Sequence, residues 1–178
     1  MNSRAVWVAQ TGIFLALLIV AQLVTRPFGN SILTGSLNNM LFILTVMICG
    51  ISSALILSAI SPVIAFLMGM APFWPFIPVI ILGNMALVAL WYFIALKDAD
   101  SGKLRRIIAL IVAALVKFVI LFVGIVHIVV PLILGLEGPQ AAAVSAAFSY
   151  PQIITASIGG VLALLLLPVL KRAIPKRR

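Results

Sequence analysis

Acidic side chains are almost missing from this chain: three Asp and Glu stand against twelve Lys and Arg in 178 residues. Histidine and cysteine occur once each, as His127 and Cys49, so no internal disulfide can form. The three acids, Asp98, Asp100 and Glu137, all fall outside the long apolar runs. Proton-coupled transporters commonly use carboxylates or histidine relays at membrane depth, and no span here supplies a carboxylate. An HExxH motif, a Cys/His cluster and a carboxylate pair are all missing, which argues against a metal site. A serine nucleophile would have His127 as its sole candidate base, with no acid in a span to orient it. Neither enzymatic activity nor a cofactor is therefore expected. There is no GxxxxGK[ST] phosphate loop, so any uphill transport must draw its energy from a partner.

What is present is apolar. The chain is 65% hydrophobic and 8% charged, whereas a soluble domain is about one quarter charged. So few charges cannot cover a water-exposed surface, and the natural solvent is a lipid bilayer. The expectation is an all-α integral membrane protein built as a single domain. The net charge of +9 could suggest nucleic acid. Its Lys and Arg lie at the chain ends and in one short loop, however, not on an amphipathic face with interleaved aromatics. No nucleic-acid partner is expected.

A membrane-crossing helix needs about 20 mostly apolar residues. Six runs qualify, at residues 5–24, 37–51, 52–70, 76–96, 107–134 and 150–170. The second and third are divided only by Cys49, Gly50 and two serines, the weakest boundary of the six. The first run could instead be a signal peptide, although it is long for one and no Ala-x-Ala pattern precedes Arg26. Six spans put both termini on one side. That side collects ten basic residues, Arg4, Lys97, Lys103, Arg105, Arg106, Lys171, Arg172, Lys176, Arg177 and Arg178, against Arg26 on the other. The asymmetry makes the termini cytoplasmic. Localisation in a bacterial or archaeal inner membrane follows. The opposite connections, residues 25–36, 71–75 and 135–149, carry Pro and Gly and read as turns.

Several polar residues inside or beside the spans need a reason. Lys117 lies about ten residues into the fifth run, or about 15 Å deep. A lysine there costs a few kcal/mol, of the order of 3, on insertion scales. Either it meets an acceptor group on a solute, or it reaches carbonyls and interfacial water. Asn84 in the fourth run must hydrogen-bond either a solute or another helix. His127 precedes Pro131, which lacks an N–H and favours a kink or a widened turn. In the sixth run Ser149 is a plausible N-cap and Pro151 sits in the first turn. Gln152, Thr155 and Gly159 then share one face. Tyr150 and Trp74 fit either this outer mouth or an aromatic belt at the interface. Ala5, Ala9, Gly12 and Ala16 recur at helical spacing on the first run, and Ala54 and Ser58 on the third. Such faces serve either internal packing or the docking of another membrane subunit.

The stretches Thr34-Gly35-Ser36-Leu37-Asn38-Asn39, Ile81-Leu82-Gly83-Asn84, Ala114-Leu115-Val116-Lys117-Phe118 and Phe148-Ser149-Tyr150-Pro151-Gln152 resemble those of one family. Together with six short helices, they make the chain similar to the S components, the substrate-binding subunits, of energy-coupling-factor (ECF) vitamin transporters. The resemblance implies high-affinity binding of a vitamin or related micronutrient near the outer face. It also implies a membrane coupling protein and two ATP-binding-cassette ATPases as partners. Carried over position by position, it puts substrate contacts at Asn84, Lys117, His127, Tyr150 and Gln152, and the coupling face at Gly12, Ala16, Ala54 and Ser58. The fourth run lacks the acid expected of a thiamine binder, so a neutral or anionic solute is expected. A membrane scaffold for an envelope complex is the alternative, and an intramembrane enzyme the third choice.

Overall fold

A computed structural model of the chain describes residues 3–71, 73–96 and 102–173. Lys97, Lys176, Arg177 and Arg178, used in the topology count, lie outside them, as do Asp98 and Asp100. The described residues form helices α1 (Ser3–Thr25), α2 (Ser31–Ile48), α3 (Ile51–Leu67), α4 (Phe76–Leu96), α5 (Lys103–Ile133), α6 (Gly138–Ala147) and α7 (Pro151–Ala173). Five candidate spans are long and apolar enough to cross a membrane, the last of them running from α6 into α7, and α3 is a shorter apolar helix. At 17 residues, α3 covers about 26 Å. This is the multi-pass helical architecture expected from the composition.

The helix ends differ from the hydropathy boundaries where local chemistry overrides apolarity. Helix α2 starts at Ser31 rather than Leu37, because Asn30 caps it: its Oδ1 accepts from the N–H groups of Ile32 at 2.9 Å and Leu33 at 3.2 Å. The break before α3 falls at Gly50, whose φ of 94° favours glycine. Helix α3 stops at Leu67 and not Met70, turning at Gly69 with φ 72°. Helix α5 begins at Lys103, four residues before the apolar run expected from Ile107, so its first turn carries the basic side chains. The connection 135–149, expected to be a turn, contains α6 instead. Pro139 stands in its first turn, where its missing N–H costs nothing, and alanines follow with high helix propensity.

Five helices close a ring in the order α2, α7, α5, α4, α3, and α1 packs outside against α2 and α3. In lipid, apolar burial between helices gains little, so close approach and polar pairing hold the ring together. Helices α2 and α7 cross closely. A Cβ added at Gly159 would lie 2.6 Å from the Ser36 carbonyl oxygen and 2.7 Å from Asn39 Cβ, and one at Gly35 would lie 3.0 Å from Thr155. Two polar contacts tie α1 to α3: Thr11 Oγ1 to Ser53 Oγ at 2.7 Å, and Gln22 Nε2 donating to Ser61 Oγ at 2.9 Å. The outward faces carry Val8, Ile13, Leu17, Ile111, Val119 and Leu165, all exposed as a lipid-facing surface requires.

Helix α5 is regular to Leu121 and then widens into a π-helix over Phe122–Ile133. Pro131 has no N–H for the ladder, and Leu134 N–H bonds the Val129 carbonyl at 2.9 Å, five residues back.

Gly159→Ala forces a methyl onto backbone atoms of α2, and overpacking of this kind costs about 1–3 kcal/mol. The detergent-purified variant should melt well below wild type. Gly12→Ala, with nothing within 4 Å of the added Cβ, should melt unchanged.

Candidate functional site

At the end of the bundle remote from both termini, the ring encloses a cavity of about 630 Å³. Its walls come from the C-terminal ends of α1 and α3, the N-terminal halves of α2 and α4, the middle of α5, and α6 with the start of α7. Small-molecule sites usually span about 300–1,000 Å³. A second groove between α4 and α5, lined by Trp74, Val79, Leu82, Val123 and other apolar residues, opens on the lipid-facing side and lacks comparable polar groups.

The floor of the cavity is polar and buried. Lys117, 5% exposed, donates from Nζ to Asn39 Oδ1 at 2.6 Å. Asn39 Nδ2 donates in turn to Thr155 Oγ1 at 3.3 Å, and that hydroxyl donates to the Gln152 carbonyl at 3.1 Å. Gln152 Nε2 reaches the Ala147 carbonyl at the end of α6, 3.0 Å away. One chain of hydrogen bonds therefore runs from α5 through α2 and α7 to α6, linking floor to roof. Asn84, 4% exposed, stands across from it and donates to the Ser58 carbonyl at 3.4 Å. Asn38 Oδ1 is a buried acceptor with no partner among the described residues.

The mouth is framed by the turn after α1, the turn after α3, and α6. A Cβ at Gly69 would lie 3.9 Å from Arg26 Nη2, so Arg26 reaches toward the opposite rim. Phe76 makes edge-to-face contacts with Phe73 and Phe148, each at 5.4 Å between centroids. These rings fasten the turn between α6 and α7 to the start of α4. Among the described residues, the lining holds two charged side chains, Arg26 and Lys117, both basic. The single acid of the described residues, Glu137, is exposed just before α6.

A family model described as the substrate-specific component of ECF transporters matches residues 8–171. The chain belongs to that family. No curated protein and no solved structure matches it. As a substrate-specific component it is a multi-pass membrane subunit that binds a small molecule and works with ECF module partners, rather than an enzyme. This favours cargo binding over the scaffold reading.

Of the residues singled out in the sequence, Asn84, Lys117 and Gln152 line the cavity. His127 and Tyr150 do not. His127 is exposed on α5, edge-on to Phe122 at 4.8 Å, and Tyr150 is 68% exposed. The widening of α5 rotates the His127 position away from the ring interior. The proposed coupling face also divides. Gly12 and Ala16 are exposed on α1, whereas Ala54 and Ser58 are wholly buried inside the ring. Ser58 is occupied there by Asn84, so Ala54 and Ser58 provide internal packing and not an outer face. Asn38 and Asn39 belong to the substrate-specific component's cavity but were not among the expected contacts. Two consecutive amides next to an apolar run were the available signal.

In a Cys49→Ala background, Ala143→Cys on α6 should react with membrane-impermeant maleimide added to intact cells. Lys103→Cys, at the other end of the bundle, should react only after lysis. The reverse pattern would invert the topology.

Proposed function

We propose that this chain is the high-affinity solute-capturing subunit of an ATP-driven ECF-type importer for a vitamin or related micronutrient, neutral or anionic, in a bacterial or archaeal inner membrane. One observation carries the choice of solute: Lys117 is buried in a cavity whose lining has no acid among the described residues, and its hydrogen-bond partner is a neutral amide. A lysine at membrane depth costs about 3 kcal/mol on insertion scales. A carboxylate about 4 Å away recovers roughly 4 kcal/mol at an effective dielectric constant near 20. An acidic group on the solute thus offsets what the protein itself leaves unbalanced. Arg26 at the mouth favours the same sign of charge on entry. Carboxylated vitamins of the size of pantothenate suit both the charge and the volume.

The remaining contacts shape a neutral part of the solute. Asn84 and Gln152 present amides, Asn38 Oδ1 awaits a donor, and Phe42 and Leu121 give apolar wall. Binding alone does not move cargo uphill. The lack of a phosphate loop in the sequence supports a division of labour in which a membrane coupling protein and two ATPases supply the energy. Gly12 and Ala16, exposed with open space above Gly12, are the residues for docking that protein.

The purified chain alone should retain a small solute on native mass spectrometry and bind it with sub-micromolar affinity or better. Lys117→Ala should lose that binding, and full retained affinity would refute the assignment of the pocket. Affinity purification from the native membrane should recover the coupling protein and both ATPases. Gly12→Leu combined with Ala16→Leu should break the complex yet leave solute binding intact.

A further inference from the structure

We propose that Asn39 sets the charge selectivity of the cavity, because it holds Lys117 in place with a neutral acceptor and leaves the lysine's charge to be balanced by the solute. The proposal rests on the solute-binding reading above. It concerns a positioning residue, one that acts through Lys117.

The orientation of the Asn39 amide is fixed from both ends. A lysine ammonium has donors and no acceptor, so the amide oxygen must face Nζ, at 2.6 Å. The amide nitrogen then faces Thr155 Oγ1, at 3.3 Å. The side chain is 1% exposed. Its backbone is equally constrained, because α7 presses on α2 at this level: a Cβ at Gly159 would lie 2.7 Å from Asn39 Cβ and 2.8 Å from the Met40 nitrogen. Asn39 thus has one position and one orientation, and through it so does the lysine amine. One of three donors on Nζ is used by Asn39, and among the described residues the others remain for the cavity.

The choice of amide is the informative point. The usual way to keep a lysine inside a helix bundle is to pair it with an acid. Aspartate has the shape of asparagine and would accept the same hydrogen bond from Lys117. It would also neutralise the lysine internally, leaving no electrostatic reason to admit an anion. Asparagine gives the geometry of such a pair without its charge. The lysine is anchored yet uncompensated, in a lining where Arg26 adds a second positive group and no acid opposes it among the described residues.

A substitution that alters charge and not shape separates this role from simple packing. The probes are matched acids and amides, propionate with propionamide and nicotinate with nicotinamide, at equal concentration and with ionic strength equalised by sodium chloride. The readout is the shift in melting temperature of the detergent-purified chain. Wild type should be stabilised more by each acid than by its amide. Asn39→Asp, in which the Thr155 hydroxyl must turn to donate to the new carboxylate in place of accepting from Nδ2, should remain folded without probe and lose that preference, with acid affinity at least tenfold weaker. Asn39→Ala should bind acids less tightly, since the amine loses its anchor, but still prefer the acid. An unchanged acid preference in Asn39→Asp would overturn the proposal, as would a wild type indifferent to acid and amide. If Asn39→Asp retains the native solute as wild type does, the charge rule fails while the importer reading stands. If wild type recovers neither a solute nor the energising module, it is the importer reading that fails.

Discussion

A basic side chain buried inside a membrane bundle, with no acid to meet it among the described residues, is the constraint around which this bundle is organised. Lys117, 5% exposed, sits at the floor of the cavity, and the ring of helices supplies it with an amide in place of a counter-ion. The consequences spread through the packing. Asn39 must come close, so α2 and α7 cross tightly at Gly35 and Gly159. Thr155 must turn inward to take the other end of the amide, which sets the rotation of α7. Continuing to Gln152 and the Ala147 carbonyl, the same hydrogen bonds hold α6 over the cavity.

Membrane physics explains why polar groups gather at this point and hardly elsewhere. Every unpaired polar atom inside a bilayer costs free energy, so most are paired between helices or turned toward a cavity, while Gln22 Oε1, Ser36 Oγ and Trp91 Nε1 are buried with no partner among the described residues. Thr11 with Ser53 and Gln22 with Ser61 are of the first kind and fix α1 to the ring. Lys117, Asn84, Asn38 and Gln152 are of the second kind. The outward helix faces, from Val8 to Val169, carry exposed large apolar side chains that face lipid. In the proposed binding mode, recognition and structure share the α2–α5–α7 seam.

Much of this was legible in the sequence, because hydropathy and charge placement follow directly from the bilayer. The spans, the membrane class, the family and the placement of Lys117 and Asn84 within helices could all be read without coordinates. The rest turned on local chemistry that hydropathy does not weigh. Asn30 caps α2 and extends it by nearly two turns, converting residues 31–36 of a supposed loop into helix and adding Ser31, Thr34 and Gly35 to the cavity wall. Pro139 starts α6 where Pro and Gly suggested only a turn. Small residues at helical spacing look alike whether they face a partner or a neighbouring helix. Gly12 with Ala16 and Ala54 with Ser58 therefore read identically, yet only the first pair is exposed. His127 and Tyr150 were polar enough to suggest a site, but widening of α5 and the position of the α6–α7 turn leave both outside it.

A density map of the solute-loaded chain tests the central claim most directly. The account predicts an acidic or strongly accepting group of the solute about 3 Å from Lys117 Nζ, hydrogen-bonded to it, with Asn39 still in place behind the lysine. A solute seated elsewhere, or a lysine that touches only Asn39 and water while the solute is bound, would contradict it.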